Sequence, residues 1–318
     1  MSLDTETILD RRRVRRQLSF WRVLAVIALT LAAGALLVSS ESGLLDRRQI
    51  ARVSLEGMIT EDRDFLKLLD RIGEAENVAG VIVYVNSPGG TTTGGEAIYS
   101  ALRRLSEKKP VVAQFGTVAA SAAYIAGLGT DYIVARGNTI TGSIGVVMQW
   151  PEISGVLDKI GVKVNEVKSG PLKSNPSPFQ PLDETGRALA ESMIAESHQW
   201  FLDLVRTRRQ VTTSSIPGLE QGRVFSGREA LQHKLIDEIG GEPEAIRWLE
   251  GRGVEKGLKV VDWKERSGTG WGLGSIAGLA RYLGGDLMAE LTALLTRDRT
   301  LGAFRLDGLV SVWQPSEN

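Results

Sequence analysis

The sequence predicts an α/β domain with a parallel sheet, preceded by a single transmembrane helix. From residue 50 onward, short apolar segments typical of strands alternate with segments of helical periodicity, as in parallel strands joined by helical crossovers. Residues 78–85 are apolar at nearly every position, which is typical of a strand buried on both faces. Residues 23–40 carry no charge and, with Trp21 beside them, are long enough to cross a bilayer, which takes about 20 helical residues.

The charges around the apolar run predict its orientation. Asp46 partly offsets the few basic residues that follow the run, whereas an arginine cluster precedes it: Arg11, Arg12, Arg13, Arg15, Arg16 and Arg22. Because positive charge resists translocation, we expect the N-terminus in the cytoplasm and the chain after Ser40 outside. A cleaved signal peptide is the alternative, since residues 33–35 and 38–40 resemble small-residue cleavage sites. The long charged stretch before the run favours a retained anchor.

The composition excludes several classes of function. The formal net charge of the 318 residues is zero, which argues against a general nucleic-acid binder because neutralising phosphates requires a basic surface. The chain has no cysteine, so a disulfide framework, a thiolate metal site and a cysteine nucleophile are all excluded.

Periodicity predicts the elements of the first half of the chain. The helix at 64–72 depends on Phe65, Leu68, Leu69 and Ile72, which are spaced to share one face. The order is a strand at 50–59, this helix, a strand at 78–85, a turn at 86–90, a helix at 94–105, a strand at 110–117, a helix of small residues at 119–126, and strands at 132–135 and 145–148.

The second half begins with a long amphipathic helix, predicted at 181–209. Its apolar side would hold Leu189, Met193, Ile194, Trp200, Phe201 and Leu204. Beyond residue 251 the glycine content rises, and a helix at 287–295 and a strand-like segment follow. The chain therefore divides into a basic cytoplasmic tail (1–20), a transmembrane anchor (21–40), a linker (41–50), a main domain (51–250) and a C-terminal packing or assembly region (251–318).

Two short motifs contain groups suited to acyl transfer. In SPGG at 87–90, two glycines follow a buried strand, so the backbone can turn and point amide N–H groups at an oxyanion. Ser121 follows another strand and is flanked by alanines. A serine in that position is usually a helix N-cap. The alternative is a nucleophile, with the helix dipole and the Ala122 amide nearby to stabilise negative charge.

A serine nucleophile requires a base, and the sequence offers histidine or lysine. His198 and His233 are the only histidines, and neither has a motif around it. Isolated histidines with scattered carboxylates also give no metal-ligand spacing. A lysine base is therefore the simpler choice.

Two lysines compete for that role. Lys173 lies in SGPLKSNP, and Lys168 lies five residues earlier. A lysine acts as a base only when it is neutral, a state that an apolar pocket favours. Such a pocket around Lys173 could be lined by Leu172, Pro176, Pro178 and Phe179. The chemistry of these residues alone does not separate Lys173 from Lys168.

Five motifs, taken in order, resemble those of a known family. They are NSPGG at 86–90, TVAASAAYIA at 117–126, TGSIGV at 141–146, SGPLKSNPSPF at 169–179 and GRVFSGREAL at 222–231. Together they resemble the signal peptide peptidase A family in its short bacterial form, over about residues 53–241. The resemblance implies the Clp protease and crotonase fold, which is built from repeated ββα units, and makes residues 51–250 a protease domain.

The resemblance also implies a Ser/Lys dyad. Ser121 lies at the family's nucleophile position, and Lys173 lies at its general-base position, which decides against Lys168. Ser143, in TGSIGV, matches the residue that hydrogen-bonds the lysine amine and orients it.

The oxyanion hole implied by the family consists of backbone N–H groups. They belong to Gly90, with its neighbour Gly89, and to Ala122. Many members have glycines after the nucleophile, where this chain has Ala122 and Ala123. That difference would narrow the space beside the scissile bond but leaves the amide donor in place.

The function implied by the resemblance is that of a serine endopeptidase anchored in the bacterial plasma membrane, with its catalytic domain in the periplasm. Its substrates would be remnant signal peptides and other unstructured hydrophobic peptides, and no cofactor or metal is needed. A homo-oligomeric ring whose active sites combine adjacent protomers is also implied. The alternatives are the Ser/Lys membrane protease that accompanies stomatin-like proteins, an acyl-CoA enzyme with the crotonase fold, and a catalytically silent membrane scaffold.

Overall fold

The computed structural model describes residues 47–264, the short strand at 310–312 and the single residue Trp21. The predicted anchor at 21–40, except for Trp21, the glycine-rich stretch and the helix at 287–295 lie outside the described residues. Within the described part, no helix combines the length and the apolar character that crossing a bilayer requires.

One mixed, mostly parallel sheet organises the described chain, and it confirms the predicted α/β class. Strands β6, β5, β3, β2, β1 and β8 lie side by side in that order, β4 and β7 extend the sheet from β3, and β9 pairs with β2. The β5–β6 and β2–β9 pairs are antiparallel and the others are parallel. The strands are β1 (Gln49–Ile59), β2 (Val78–Thr91), β3 (Val111–Ala120), β4 (Tyr132–Ala135), β5 (Ile140–Gly142), β6 (Val224–Ser226), β7 (Glu238–Ile239), β8 (Lys259–Asp262) and β9 (Val310–Val312).

Helices connect the strands and cover the sheet. They are α1 (Arg63–Glu74), α2 (Thr92–Ser106), α3 (Ala122–Leu128), α4 (Ser154–Lys159), α5 (Glu184–Arg209), α6 (Gly227–Gln232) and α7 (Glu242–Gly251), with 3₁₀ turns at Thr213–Ser215 and Leu219–Gln221. Several begin at side-chain caps, which satisfy amides that have no partner within the helix. Asp62 accepts from Asp64 N at 2.8 Å, Thr91 from Gly94 N at 3.1 Å and Asp183 from Gly186 N at 2.6 Å.

The core lies on both faces of the sheet, which explains the continuous apolar run in β2. Val81, Val83 and Val85 belong to the main cluster, on the face covered by α1, α2, α3 and the C-terminal part of α5. Ile82 lies between them in sequence and points to the opposite face, where it clusters with Leu249 of α7 and other residues.

Three of the predicted elements near the ends of β2, β3 and β5 are wrong. The turn at 86–90 is strand, because Gly89 and Gly90 pair with Met58 and Ile59 of β1 and also with β9. The strand predicted at 145–148 is absent from the described residues, and β5 precedes it and ends at Gly142. The helix predicted at 119–126 begins at Ala122, because β3 continues to Ala120.

Candidate active site

Ser121 occupies a tight turn between β3 and α3. It is 1 % exposed, and its backbone has φ 60° and ψ −122°. A non-glycine residue with positive φ is uncommon, and it persists only where the surrounding structure holds it. Here the Ser121 N–H donates to the Gly142 carbonyl at 2.8 Å, and its carbonyl accepts from Tyr124 N and Ile125 N at 2.9 and 3.0 Å. A strained strand-to-helix turn of this kind is typical of a serine nucleophile.

Ser121 does not cap the helix that follows it. It occupies the N-cap position of α3, but its side chain forms no capping hydrogen bond. Ser226, by contrast, caps α6 with a complete capping box. The interpretation of Ser121 as a capping residue is therefore wrong.

The C-terminal end of α3 is held by arginines. Arg208 of α5 donates to the Leu128 carbonyl and to the Thr130 carbonyl, both at 2.9 Å. Arg103 of α2 donates to the Gly129 carbonyl at 3.0 Å. Cations at a helix C-terminus satisfy its free carbonyls and complement its dipole. This helix therefore has little freedom to move along its axis.

The middle of α3 is held by the fully buried Tyr124, whose hydroxyl donates to the Leu235 carbonyl at 2.8 Å. Burial raises the pKa of Tyr124, so the hydroxyl remains a donor. Together with the arginines, this contact anchors α3, the helix that follows Ser121.

Ser143 lies beside Ser121. Ala120 pairs with Gly142 across the parallel β3–β5 ladder, so the next residue of each strand, Ser121 and Ser143, emerges at the same end. Ser143 is buried and has φ 52°, and its N–H donates to the Arg223 carbonyl at 3.0 Å.

The predicted oxyanion glycines lie at the same edge of the sheet, where β2 and β3 end. A Cβ atom at Gly90 would be 1.9 Å from the Ile59 carbonyl oxygen, so only glycine fits there. Gly89 has φ 114°, and its N–H donates to Ser87 Oγ at 3.1 Å. Ser87 pairs with Ala119, which brings this segment close to the turn that leads to Ala122.

Lys173 lies on the surface of the chain, whereas Ser121 is buried. The Lys173 ammonium group forms no hydrogen bond or ion pair with any residue that the structure describes. Leu172 and Phe179, two predicted pocket residues, are 50 % and 40 % exposed. The single chain therefore does not enclose Lys173 in an apolar pocket.

Lys173 belongs to an exposed segment, which we define as residues 147–182. Its helix α4 has no buried residue. The large exposed hydrophobic residues in the segment are Val147, Val156, Ile160, Val162, Val164, Val167, Leu172 and Phe179. The N-terminal half of α5 continues this exposure, with Met193 exposed, whereas Phe201, Leu202 and Val205 of the C-terminal half are buried.

The other candidate bases are Lys168, His233 and His198. The Lys168 ammonium pairs with Glu166 at 2.6 Å. The His233 ring packs edge-on against Phe225, with ring centroids 5.7 Å apart. His198 Nε2 is buried without a hydrogen-bond partner among the described residues.

Asn86 has a structural role that its place in the predicted turn at 86–90 does not indicate. In the structure its Oδ1 accepts the N–H groups of Thr117 and Val118, at 3.1 and 3.2 Å. The signal available in the sequence was an amide side chain placed between a buried strand and the SPGG motif.

Comparisons with known proteins indicate the family of the chain. A family model of peptidase family S49 matches residues 103–255, and one of Clp protease matches residues 43–136. A Methanocaldococcus jannaschii protein with a provisional protease name is 32% identical over 282 residues, covering 82% of this chain and 89% of that protein. A provisionally named signal peptide peptidase SppA of Enterococcus faecium is 28% identical over 284 residues, covering 84% and 80%.

Among solved structures, a mutant of the 1510-N membrane-bound stomatin-specific protease aligns with a TM-score of 0.42 and 16% identity. The alignment covers 69% of this chain and 98% of that one.

Proposed function

The chain belongs to peptidase family S49, the family of signal peptide peptidase A, and from this we propose that it cleaves peptides with a Ser121/Lys173 dyad. Membership makes it a serine-type peptidase, so an acyl-CoA enzyme and a silent scaffold are set aside. The observation that carries the choice of nucleophile is the strained, uncapped turn at Ser121.

The proposed reaction is acyl transfer. Neutral Lys173 takes the proton of Ser121 Oγ, which attacks the peptide carbonyl, while the Gly90 and Ala122 N–H groups stabilise the oxyanion. Lys173 then protonates the leaving amine and later activates the water that releases the acyl group. Ser143, which emerges beside Ser121, would orient the lysine amine.

The choice of Lys173 over Lys168 is supported by their partners. The Lys168 ammonium is engaged in an ion pair with Glu166 at 2.6 Å. The Lys173 ammonium has no such partner among the described residues.

The exposure of Lys173 supports a shared active site. Contiguous exposed hydrophobic residues mark interaction surfaces, and the segment 147–182 carries several around Lys173. A second copy of this chain would bury them and give Lys173 of one protomer access to Ser121 of its neighbour. We therefore include a homo-oligomeric ring, with a dyad formed across each interface, in the proposal.

Subunit complementation tests the dyad and the ring together. Ser121→Ala and Lys173→Ala proteins are each expected to be inactive on a hydrophobic peptide. If the dyad crosses the interface, dissociating and reassembling them together regenerates about one active site in four by random mixing. A mixture that stays inactive, although cross-linking shows mixed assemblies, would place both groups in one chain. A fluorophosphonate probe should label the Lys173→Ala chain only in the mixture.

We further propose a Clp- and crotonase-like arrangement of ββα units in a protease domain at 51–250. An anchor at 21–40 would follow the basic cytoplasmic tail at 1–20. Its position in the plasma membrane would leave the catalytic domain outside and make remnant signal peptides the natural substrates. An alkaline phosphatase fused after Asn318 should then be active, and the N-terminus should remain uncut. The rates of cleavage of a stomatin C-terminal peptide and of a signal-peptide remnant, measured side by side, distinguish a stomatin-type protease from a signal peptide peptidase.

A further inference from the structure

The strand that leads to Ser121 contains a bulge. β2 pairs with β3 at Val85↔Phe115 and next at Ser87↔Ala119, so β2 advances two residues while β3 advances four. Residues 116–118 thus lie opposite Asn86 alone, and the two additional residues bend the strand. Below the bulge β3 pairs with β4, and above it β3 pairs with β5, at whose end Ser143 lies. The bulge therefore moves β3 from one neighbour to the other just before Ser121.

Side chains supply the hydrogen bonds that the bulge loses. Asn86 Oδ1 accepts from both Thr117 N and Val118 N, at 3.1 and 3.2 Å. On the carbonyl side, Thr139 Oγ1 donates to Gly116 O at 2.7 Å, and Thr141 Oγ1 donates to Ala119 O at 2.7 Å. Backbone groups displaced from a ladder need such partners. Asn86 is the side chain that serves the two amides.

Packing alone does not fix this bulge. A cavity of about 350 Å³ borders it, and Tyr84, Gln114, Gly116, Thr117 and Arg136 are among the residues that line it. Thr117 itself is exposed. If the hydrogen bonds to Asn86 are lost, Thr117 can relax toward the cavity, whereas Gly116 packs closely, since an added Cβ there would be 2.7 Å from the Tyr84 hydroxyl.

We propose that Asn86 is a positioning residue that sets the place of Ser121 through this bulge. The inference rests on the proposed function, in which Ser121 is the nucleophile. Val118 is held directly by Asn86, and only Ala119 and Ala120 separate it from Ser121. A shift of the bulge is therefore transmitted to Ser121 along an extended backbone. Asn86 acts on the nucleophile and not on substrate affinity.

The test uses two variants of the full chain. Asn86→Asp keeps an oxygen acceptor in place, whereas Asn86→Leu keeps the approximate size and removes it. Because a nucleophile displaced by a fraction of an ångström reacts more slowly, Asn86→Leu should lower kcat and the rate of fluorophosphonate labelling by about tenfold or more. Its KM should stay within about twofold, and Asn86→Asp should stay within about threefold of the parent kcat.

A core substitution separates positioning from general destabilisation. Ile82→Val removes one methylene from the cluster around α7, on the same strand as Asn86. It should lower the melting temperature while leaving kcat and the labelling rate unchanged. If Asn86→Leu does not fold, Asn86→Ala, in which water can reach the two amides, takes its place with the same expected loss.

The outcomes distinguish this inference from the proposed function. Mapping of the label on the parent protein must find it on Ser121, and Ser121→Ala must be inactive; otherwise the proposed function fails. If both hold, an unchanged labelling rate in Asn86→Leu overturns the inference. An Asn86→Asp variant as slow as Asn86→Leu also overturns it.

Discussion

Gly95 of α2 lies directly against Ala122, the first residue of α3. A Cβ atom at position 95 would be 3.2 Å from the Ala122 Cβ and 3.3 Å from its carbonyl oxygen. These distances are tighter than ordinary van der Waals contacts, and Ala122 is fully buried. Ala122, directly after Ser121, fits because its neighbour Gly95 has no side chain.

Gly95→Ala should therefore lower kcat by displacing Ala122, whose amide is the proposed oxyanion donor. Ala122→Gly alone should be close to the parent, and the double variant should recover most of the lost activity. Gly73→Ala in α1 is the matched control, because its Cβ would meet the Leu105 Cδ1 atom at 3.4 Å, a side-chain tip that can yield. Steady-state kinetics on one peptide gives the double-mutant cycle for positions 95 and 122. Strictly additive changes in activity would contradict the idea that the two residues must match in size.

Ser121→Ala should abolish hydrolysis with little effect on stability, because the serine side chain makes no capping hydrogen bond. Thr91→Ala and Ser226→Ala, which remove real caps, should each lower the free energy of unfolding by about 1 kcal/mol. Urea denaturation of the three variants compares them directly. An equal loss in Ser121→Ala would restore the capping interpretation.

Lys173→Ala should be as inactive as the serine variant. Lys168→Ala should keep substantial turnover, since Lys168 is engaged with Glu166. A double replacement of His198 and His233 should do the same. Ser143→Ala should be intermediate, because it loosens the lysine without removing it. The measurement is kcat/KM with circular dichroism to verify folding. Loss of activity in the folded double-histidine variant, with Lys173→Ala still active, would establish a histidine mechanism.

The start of α5 should respond to acid through Asp183. The hydrogen bond from Asn175 Nδ2 and that from Gly186 N lower the pKa of Asp183. Since the folded state favours the ionised form, this contribution is present above the ordinary aspartate pKa of about 3.9 and is lost as the pH falls through the lowered value. The protection factor of the Gly186 amide, measured by hydrogen exchange and corrected for the intrinsic pH dependence, should fall over that range.

Asp183→Asn is the control for this titration. It keeps an oxygen acceptor for the Gly186 amide and removes the ionisable group, so exchange at Gly186 should no longer follow the same pH course. If the variant keeps the acid response of the parent, another group is responsible.

Elements whose pattern is local in the sequence were predictable, whereas segments whose pairing strands are distant in the sequence were not. The helix carrying Phe65 and Ile72 and the strand at 78–85 were predictable, because their periodicity is local. The segment containing Gly89 and Gly90 was not, since glycine favours turns and their partners come from β1 and from β9 at residues 310–312.

The candidate site was predictable to different degrees. Ser121 follows an apolar strand that is evident in the sequence, and the motif marks its position. Its unusual backbone is held by a hydrogen bond to the Gly142 carbonyl, and a partner so far along the chain leaves no local pattern in the sequence. The exposure of Lys173 was not predictable. The neighbouring apolar residues Leu172 and Phe179 are exposed, and a sequence does not show whether such residues pack inside the chain or face outward.

The exposed segment at 147–182 also bears on when the enzyme first becomes active. If Lys173 acts on Ser121 of a neighbouring copy, as we propose, a newly made copy would carry the Ser121 turn and no base of its own. Hydrolysis would begin only once copies meet, so activity per chain would obey mass action and fall on dilution. Local density in the membrane would then govern proteolysis, and an isolated chain would pass its neighbours without cutting them.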